Sequence, residues 1–203
     1  MMEMKFSGDR IEFNKVLSDL DNLVLKFVDI LEKEKIKYVI ISGYVPILFG
    51  RSRATEDVDL FVERLDLTRF MKLAESIKSS GFYCLNETDD RESYRMLCDK
   101  LALRFAEENK VIPNFEMKFP SKHLDDICLI KPLKVVLNGN KLNISPIELE
   151  IPYKIYLGSE KDIEDAVYLY EIFKDKINHG KTMDYAAKIG VLSRMAYYGI
   201  KLA

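Results

Sequence analysis

The stretch Ser42–Val62, which reads S-G-Y-V-P-I-L-F-G-R-S-R-A-T-E-D-V-D-L-F-V, contains the pattern that decides the fold. In its last part, Asp57–Val62, valine or leucine stands at every second position, which predicts a strand with one buried face. Asp57 and Asp59 fall on the opposite face, because side chains two residues apart on a strand point to the same side. Since unpaired carboxylates are costly to bury, we expect this face to lie outside the core.

Two neighbouring carboxylates repel each other and therefore favour the binding of a divalent cation. Mg²⁺ prefers one or two carboxylates together with water and substrate phosphate oxygens. The pair formed by Asp57 and Asp59 thus suits metal-assisted phosphoryl or nucleotidyl transfer. The alternative is an edge strand whose acids are simply hydrated, which is the commoner explanation of a bare D-x-D motif.

The residues before the two acids point toward phosphate binding. The apolar run Tyr38–Ser42 predicts a buried strand, and Gly43 then allows a tight turn that a phosphate can approach closely. Arg51 and Arg53 have guanidinium groups that suit triphosphate oxygens, and Thr55 can hydrogen-bond to the site or fix the turn. The alternative is a loop with solvent-exposed arginines.

A third acid follows on a later strand. Residues Asn114–Phe119 alternate polar and apolar, with Glu116 on the polar face. Placed beside the first two carboxylates, Glu116 could bridge a metal or act as a general base toward an attacking hydroxyl. The alternative is an ion pair between Glu116 and Lys118 on the same face.

The rest of the chain predicts an α+β fold, with a mixed sheet flanked by helices and a helical C-terminal region. Asn138-Gly139 predicts a hairpin turn, and the pattern from Pro146 onward is helical, with Gly180 between segments. We therefore expect an α/β core over residues 1–145 and a helical region over 146–203. A first long helix is predicted from an apolar stripe, with Ser7 or Asp9 as its cap: Phe13, Leu17, Leu20, Val24, Phe27 and Leu31.

Further elements follow from shorter patterns. Leu67–Ser80 predicts a helix that ends at Gly81, and the polar run Asn86–Ser93 predicts a loop. Five strands are predicted from short apolar or alternating runs: Phe82–Leu85, Leu101–Ala106, Asn114–Phe119, Lys134–Leu137 and Lys141–Ile144.

Composition excludes several other classes. The net charge is −2, so no overall basic field favours nucleic acid. The three cysteines lack a C-x-x-C spacing, which argues against a disulfide framework or a zinc site. No window approaches the roughly 20 apolar residues of a membrane span, and the N-terminus lacks an apolar signal core. We therefore expect a cytoplasmic protein without a membrane partner.

Two other phosphate-binding or metal-binding motifs are excluded by the sequence. No P-loop motif occurs, and Leu60 and Phe61 exclude an EF-hand loop.

The quoted stretch resembles the signature of the polymerase-β-like nucleotidyltransferase superfamily, in which a glycine-containing turn precedes D-x-D and a further acid lies on a later strand. Its R-x-T-x-D-h-D form (h, hydrophobic) is most similar to the AbiEii-type branch, which includes toxins of toxin–antitoxin systems. The segment Ile144–Ala166, I-S-P-I-E-L-E-I-P-Y-K-I-Y-L-G-S-E-K-D-I-E-D-A, resembles the helical segment of that branch. The resemblance covers roughly Tyr38–Leu169.

The resemblance implies roles for individual residues. Asp57, Asp59 and Glu116 would bind Mg²⁺ or Mn²⁺ and act in catalysis, with an NTP as substrate. Two positions depart from the family pattern. Tyr44 replaces a small residue and would crowd the triphosphate path unless its ring swings away, or would instead stack on a base. Glu116 replaces the commoner Asp. The nucleotide-binding residues would be Ser42, Gly43, Arg53, Thr55, Lys154, Lys161, Asp162 and Asp165. The alternatives are a surface lysine at position 154 and, over residues 161–165, an ordinary helix start.

The implied activity is transfer of a nucleoside monophosphate from an NTP to a hydroxyl acceptor, with release of pyrophosphate. The acceptor would be RNA, such as a tRNA end, or a protein side chain, and a cognate antitoxin would be a partner. One alternative is a module of the same fold that binds a nucleotide or a partner protein without turnover. Another is a purely structural role, with hydrated acids and a helical tail that pairs with another protein.

Overall fold

A mixed sheet organises the structure, a computed structural model that describes residues 3–86 and 89–202. Within these ranges the sheet has nine strands. They are β1 (Lys5–Ser7), β2 (Arg10–Phe13), β3 (Tyr38–Ile41), β4 (Asp57–Val62), β5 (Phe82–Cys84), β6 (Leu103–Glu107), β7 (Asn114–Lys118), β8 (Leu133–Leu137) and β9 (Asn140–Ile144). The order across the sheet is β1-β2-β8-β9-β3-β4-β7-β6-β5.

Helices flank this sheet and form most of the C-terminal part. They are α1 (Asp19–Lys33), α2 (Tyr44–Leu48), α3 (Leu67–Ser79), α4 (Asp90–Cys98), α5 (His123–Ile130), α6 (Ile147–Leu157), α7 (Glu160–Phe173), α8 (His179–Lys188) and α9 (Leu192–Tyr197). Crossing a membrane would take a longer and more apolar helix than any in the described part of the chain. The predicted α+β architecture, a mixed sheet flanked by helices, is confirmed.

The centre of the sheet brings the predicted acids together. Strand β4 pairs antiparallel with β3 and parallel with β7, and the register places Asp59 opposite Glu116 and Asp57 opposite Asn114. The bounds of β4 are those predicted, and its apolar residues at positions 58, 60 and 62 are buried in the core. On the core side, the ring of Phe27 from α1 stacks on Phe115 at 4.0 Å between centroids.

The N-terminal prediction is wrong in one respect. The chain begins with a β-hairpin, and Arg10–Phe13 pairs in parallel with β8. Phe13 and Ile11 are both buried, so the apolar period there is two residues and belongs to a strand. Helix α1 starts only at Asp19, where the Ser18 hydroxyl accepts a hydrogen bond from the Asp21 amide. Neither Ser7 nor Asp9 caps it.

Two other local predictions also differ from the structure, and one helix was missed. The run predicted as a loop contains the start of α4, because the Asp89 carboxylate accepts the Glu92 amide and caps a helix there; residues 87 and 88 lie outside the described part. Helix α5 was not predicted. Gly180 lies in the first turn of α8 rather than between segments, since Asn178 caps that helix.

The predicted division at residues 145 and 146 falls between β9 and α6. One hydrophobic cluster nevertheless contains residues from both parts, such as Val58 of the sheet and Ile151 and Leu169 of the helices. The rings of Phe49 and Phe173 meet edge-to-face across this division at 4.8 Å between centroids. The two-part division remains a proposal.

Candidate active site

Three carboxylates lie side by side on the face of the sheet away from α1. Asp57 and Asp59 alternate with buried residues on β4, and Glu116 lies opposite Asp59 on β7. Glu116 has only 8% of its surface exposed, while the two aspartates are half-buried. The parallel pairing of β4 and β7 therefore assembles residues that are far apart in sequence.

Lys118 joins two of these carboxylates. Its Nζ lies 2.9 Å from Glu116 Oε2 and 3.2 Å from Asp59 Oδ1. The guanidinium of Arg104, on β6, contacts the other oxygen of Glu116. The ion pair between Glu116 and Lys118 that the sequence allowed is thus present, but the glutamate is buried rather than on the surface.

Burial and charge act against each other at these acids. Burial raises the pKa of Asp59, the Lys118 ammonium lowers it, and the neighbouring Asp57 and Glu116 raise it further, with a net increase. Burial also acts to raise the pKa of Glu116, but Lys118 and Arg104 outweigh it and leave that pKa lowered. Asp59 is therefore a carboxylate whose ionised form gains from a nearby cation.

Carboxylate oxygens are suitable ligands for a hard divalent cation. In this structure, Lys118 pairs with two of the three acids, Asp59 and Glu116. Across residues 3–86 and 89–202, no three His, Cys, Asp or Glu side chains are arranged to hold a metal ion. Mg²⁺ does not need three protein ligands, since water and substrate phosphates complete its shell. Asp57 forms no ion pair within the described part of the chain, and only the Thr55 hydroxyl approaches its carboxylate, at 3.3 Å.

The turn between β3 and α2 borders these acids and is tightly packed. Ser42 has a φ of 62°, which is unusual for a residue with a side chain. A Cβ added at Gly43 would lie 3.1 Å from Arg53 Nη2 and 3.2 Å from Thr55 Oγ1. A side chain at position 43 would therefore require Arg53 and Thr55 to move by a few tenths of an ångström.

Tyr44 does not enter the nucleotide path. Its side chain is completely buried, and its hydroxyl donates to Asp21 Oδ1 at 2.8 Å. Lys15 pairs with the same carboxylate at 2.9 Å. The ring is turned away from the triphosphate path, which was one of the predicted alternatives, and it does not stack on a base, because its hydrogen bond to Asp21 holds it in the core.

A buried ionic network connects the turn to the helical region. Asp165 of α7 is fully buried and accepts from Arg53 Nη2 at 2.7 Å and from Lys154 Nζ at 3.0 Å. Arg53 also donates to the Gly43 carbonyl at 3.2 Å. Burial acts to raise the pKa of Asp165, but Arg53 and Lys154 together leave it lowered. Asp165 thus holds Arg53 in contact with the main chain of the turn between β3 and α2.

The other predicted tail residues take different places. Lys154 is completely buried, so it is not a surface lysine. Asp162 pairs with Lys154 at 3.4 Å and also serves in the Ser159 cap of α7, so the helix-start alternative holds as well. Lys161 is exposed and lies outside this network.

Glu150 of α6 is a buried acid close to the Ser42 turn that sequence reasoning missed. Burial raises its pKa to about 7, Lys154, Ser145 and the Ser42 amide lower it, and Asp59 raises it. Among the residues that the structure describes, its Oε1 has no hydrogen-bond partner. The only signal in the sequence was its position four residues before Lys154 within an apolar run.

A cleft of about 290 Å³ opens over Asp59 and Lys118, with Ser42 at its edge. Its lining also includes two lysines, Lys100 and Lys122, and the ring of Tyr153. Asp59 and three lysines therefore face one opening, which suits a ligand that carries negative charge.

Comparison with known proteins identifies the fold. No protein-family model and no curated protein matches the sequence. Among solved structures, an antigenic nucleotidyltransferase-like protein from Paracoccidioides brasiliensis matches with a TM-score of 0.54 and 18% identity, over 90% of this chain and 93% of that one. The antibiotic-resistance factor ANT(2'')-Ia matches with a TM-score of 0.53 and 14% identity, over 89% of this chain and 96% of that one.

The same factor in complex with adenylyl-2''-tobramycin gives a TM-score of 0.53 at 14% identity, covering 89% of this chain and 99% of that one. At such identities the likeness concerns the fold. The chain has the nucleotidyltransferase fold, as the sequence motif predicted. The assignment to the AbiEii-type branch stays a prediction.

Proposed function

We propose that this chain, which has the nucleotidyltransferase fold, transfers a nucleoside monophosphate from an NTP to a hydroxyl acceptor. The acceptor oxygen attacks the α-phosphorus, the bond to the β,γ-phosphates breaks, and pyrophosphate leaves. The observation that supports this most is the placement of Asp57 and Asp59 on β4 beside Glu116 on β7, with Asp59 and Ser42 lining a cleft. Such a reaction needs positioning and charge neutralisation more than covalent protein chemistry.

Each group has a role in this proposal. Asp57 and Asp59 would hold Mg²⁺ or Mn²⁺, which when bound neutralises charge on the transferred phosphate. Gly43 lets the phosphates approach the main chain, and Glu116 accepts the proton of the acceptor hydroxyl. Thr55, whose hydroxyl lies 2.9 Å from the Asp57 carbonyl, keeps the end of the loop in place.

The tail residues would act mainly through the turn. Lys154 and Asp162 support Asp165, which holds Arg53 against the Gly43 carbonyl. Direct contact of Lys154 with phosphates would need a conformation that uncovers it. Lys161 lies on the exposed side of α7, where its contribution to nucleotide binding remains a prediction.

The acceptor is proposed from the resemblance. We propose an RNA, such as a tRNA end, or a protein hydroxyl, and within a toxin–antitoxin system the partner would be a cognate antitoxin. In ANT(2'')-Ia an adenylylated small molecule, adenylyl-2''-tobramycin, is bound. A small-molecule hydroxyl therefore belongs in the assay panel. We propose a cytoplasmic location.

A second candidate is a nucleotide-binding module without turnover. The observation in its favour is Lys118, whose ammonium pairs with both Asp59 and Glu116 in the structure. A thermal-shift assay with NTP and Mg²⁺ detects binding in either case. Only a transfer assay separates the two functions.

The transfer assay uses α-labelled NTPs with Mg²⁺ or Mn²⁺, total RNA, lysate protein and a small-molecule fraction. We expect label in one acceptor class with the wild type and its loss in Asp57→Asn. The matched control is Glu56→Gln, an exposed acid one residue away, which should keep activity. NTP stabilisation without label transfer would favour the binding module. Absence of both transfer and NTP stabilisation would refute the proposed function.

A further inference from the structure

We propose that Lys118 is an internal counter-cation that competes with the divalent metal, so that metal binds tightly only together with nucleotide. This inference rests on the proposed function, since it assumes that Asp57 and Asp59 are the metal ligands. It adds a role for a residue that the sequence offered only as a surface ion-pair partner.

Lys118 bridges two of the three acids. One ammonium group contacts Asp59 Oδ1 at 3.2 Å and Glu116 Oε2 at 2.9 Å. Lys118 therefore sits between a carboxylate of β4 and one of β7, where a bridging cation would sit. Asp57 is left without an ion-pair partner in the part of the chain that the structure describes, so the cation site is filled on one side only.

A second argument concerns charge. Three carboxylates face two cations in this cluster, and within residues 3–86 and 89–202 Asp59 forms an ion pair with Lys118 alone. A divalent ion that binds Asp57 and Asp59 would stand close to the Lys118 ammonium and repel it, because like charges interact strongly where water is scarce. The metal must therefore displace Lys118 or bind weakly beside it.

The Lys118 side chain has space to move away from the two acids. Its side chain is about one-third exposed, at 32%, and it lines the cleft of about 290 Å³ together with Lys100 and Lys122. Lysine is a compact charge on a flexible stem, so it can turn from a carboxylate to a phosphate. A bound triphosphate would accept the displaced ammonium. Metal and nucleotide would then favour each other's binding.

The test measures Mn²⁺ binding by electron paramagnetic resonance, without nucleotide and independently of activity. We expect Lys118→Met to bind Mn²⁺ at least about tenfold more tightly than the wild type, because the competing charge is gone. Lys122→Met is the matched control, since Lys122 lines the same cleft but contacts none of the three acids; its affinity should change by less than about threefold. Lys118→Arg keeps the positive charge, so its Mn²⁺ affinity should stay as low as that of the wild type.

A non-hydrolysable NTP analogue provides the second measurement. It should strengthen Mn²⁺ binding by the wild type more than by Lys118→Met, so the difference between them shrinks. If Lys118→Met does not fold, Lys118→Gln removes the charge and keeps a hydrogen-bond donor for Glu116 and Asp59.

The outcomes separate the two proposals. Equal Mn²⁺ affinity in the wild type and the charge-removing variants, abolished in each by Asp57→Asn, would overturn the role of Lys118 and leave the metal site intact. Weaker binding in Lys118→Met would also overturn it. If no variant binds Mn²⁺ even with nucleotide, the proposed function fails and this inference fails with it.

Discussion

At the scale of single residues, context rather than identity marks the site. The D-x-D pair was predicted from its spacing on a strand, and Asp57 and Asp59 do share one face of β4. The position of Lys118 between Asp59 and Glu116 depends on the pairing of β4 with β7. The register between two strands that are distant in the chain cannot be predicted from one sequence alone. Glu150 was missed for a similar reason, because its neighbour Ser42 is distant in the chain.

Gly43 offers a direct test of the turn. We expect Gly43→Ala to lower the free energy of unfolding by about 1 kcal/mol and to weaken NTP–Mg²⁺ binding, since overpacking displaces neighbours. The new methyl group would press on Arg53, which Asp165 holds in place. Chemical denaturation and thermal shift with NTP measure both effects. Gly180→Ala, in a helix with ordinary contacts, is the control; equal loss of binding in both variants would contradict the account.

Glu150 predicts a pH dependence of stability. Its pKa in the folded state is about 7 against an ordinary value of 4.5, so the folded state binds this proton more tightly than the unfolded state. The resulting stability is fully present below the unfolded pKa and is lost as the pH rises through the folded pKa.

Glu150→Gln is uncharged at every pH and should lack that loss. The difference in unfolding free energy between variant and wild type should grow by about 3 kcal/mol from about pH 5 to well above pH 7. Urea denaturation over this range measures it. Parallel curves for the two proteins would show that Glu150 does not titrate as described.

At the scale of elements, the predictions were correct where the pattern that defines a helix, strand or turn lies within that element. The bounds of β4 and the hairpin around Asn138-Gly139 agree with the structure, because alternation and turn chemistry are local. The start of α1 failed because Phe13 fits both a helical stripe and a strand. Only pairing with β8 decides between these periods.

The link between α7 and the turn predicts a large effect of one substitution. Asp165→Asn would leave Lys154 buried without its closest charge partner, which costs about 3–5 kcal/mol of unfolding free energy. Glu164→Gln, next in sequence, removes only a surface ion pair with Arg51 and should cost less than about 1 kcal/mol. Denaturation of the two variants checks this. Equal losses would show that the buried network does not hold α7 to the turn.

At the scale of the whole molecule, the sheet and the C-terminal helices share one hydrophobic cluster. The order of elements predicts an α/β core over residues 1–145 and a helical region over 146–203, but sequence shows where an element ends and not which surfaces meet. Phe49 and Phe173, which meet across that division, illustrate the point.

We therefore expect one cooperative thermal transition for the full chain. Its calorimetric and van't Hoff enthalpies should agree, as for a two-state protein. A fragment of residues 1–145 should lack a cooperative transition, because its apolar face would be uncovered. Two resolved transitions in scanning calorimetry would support independent domains instead.

The central claim is that Asp57 and Asp59 serve nucleotidyl transfer. The most direct measurement compares NTP labelled at the α-phosphate with NTP labelled at the γ-phosphate, in the presence of Mg²⁺ and the acceptor fractions. The account predicts α-label in the acceptor and γ-label in pyrophosphate, with a loss of at least about a hundredfold in Asp57→Asn. Transfer of the γ-label to the acceptor, or unchanged α-label transfer in Asp57→Asn, would contradict it.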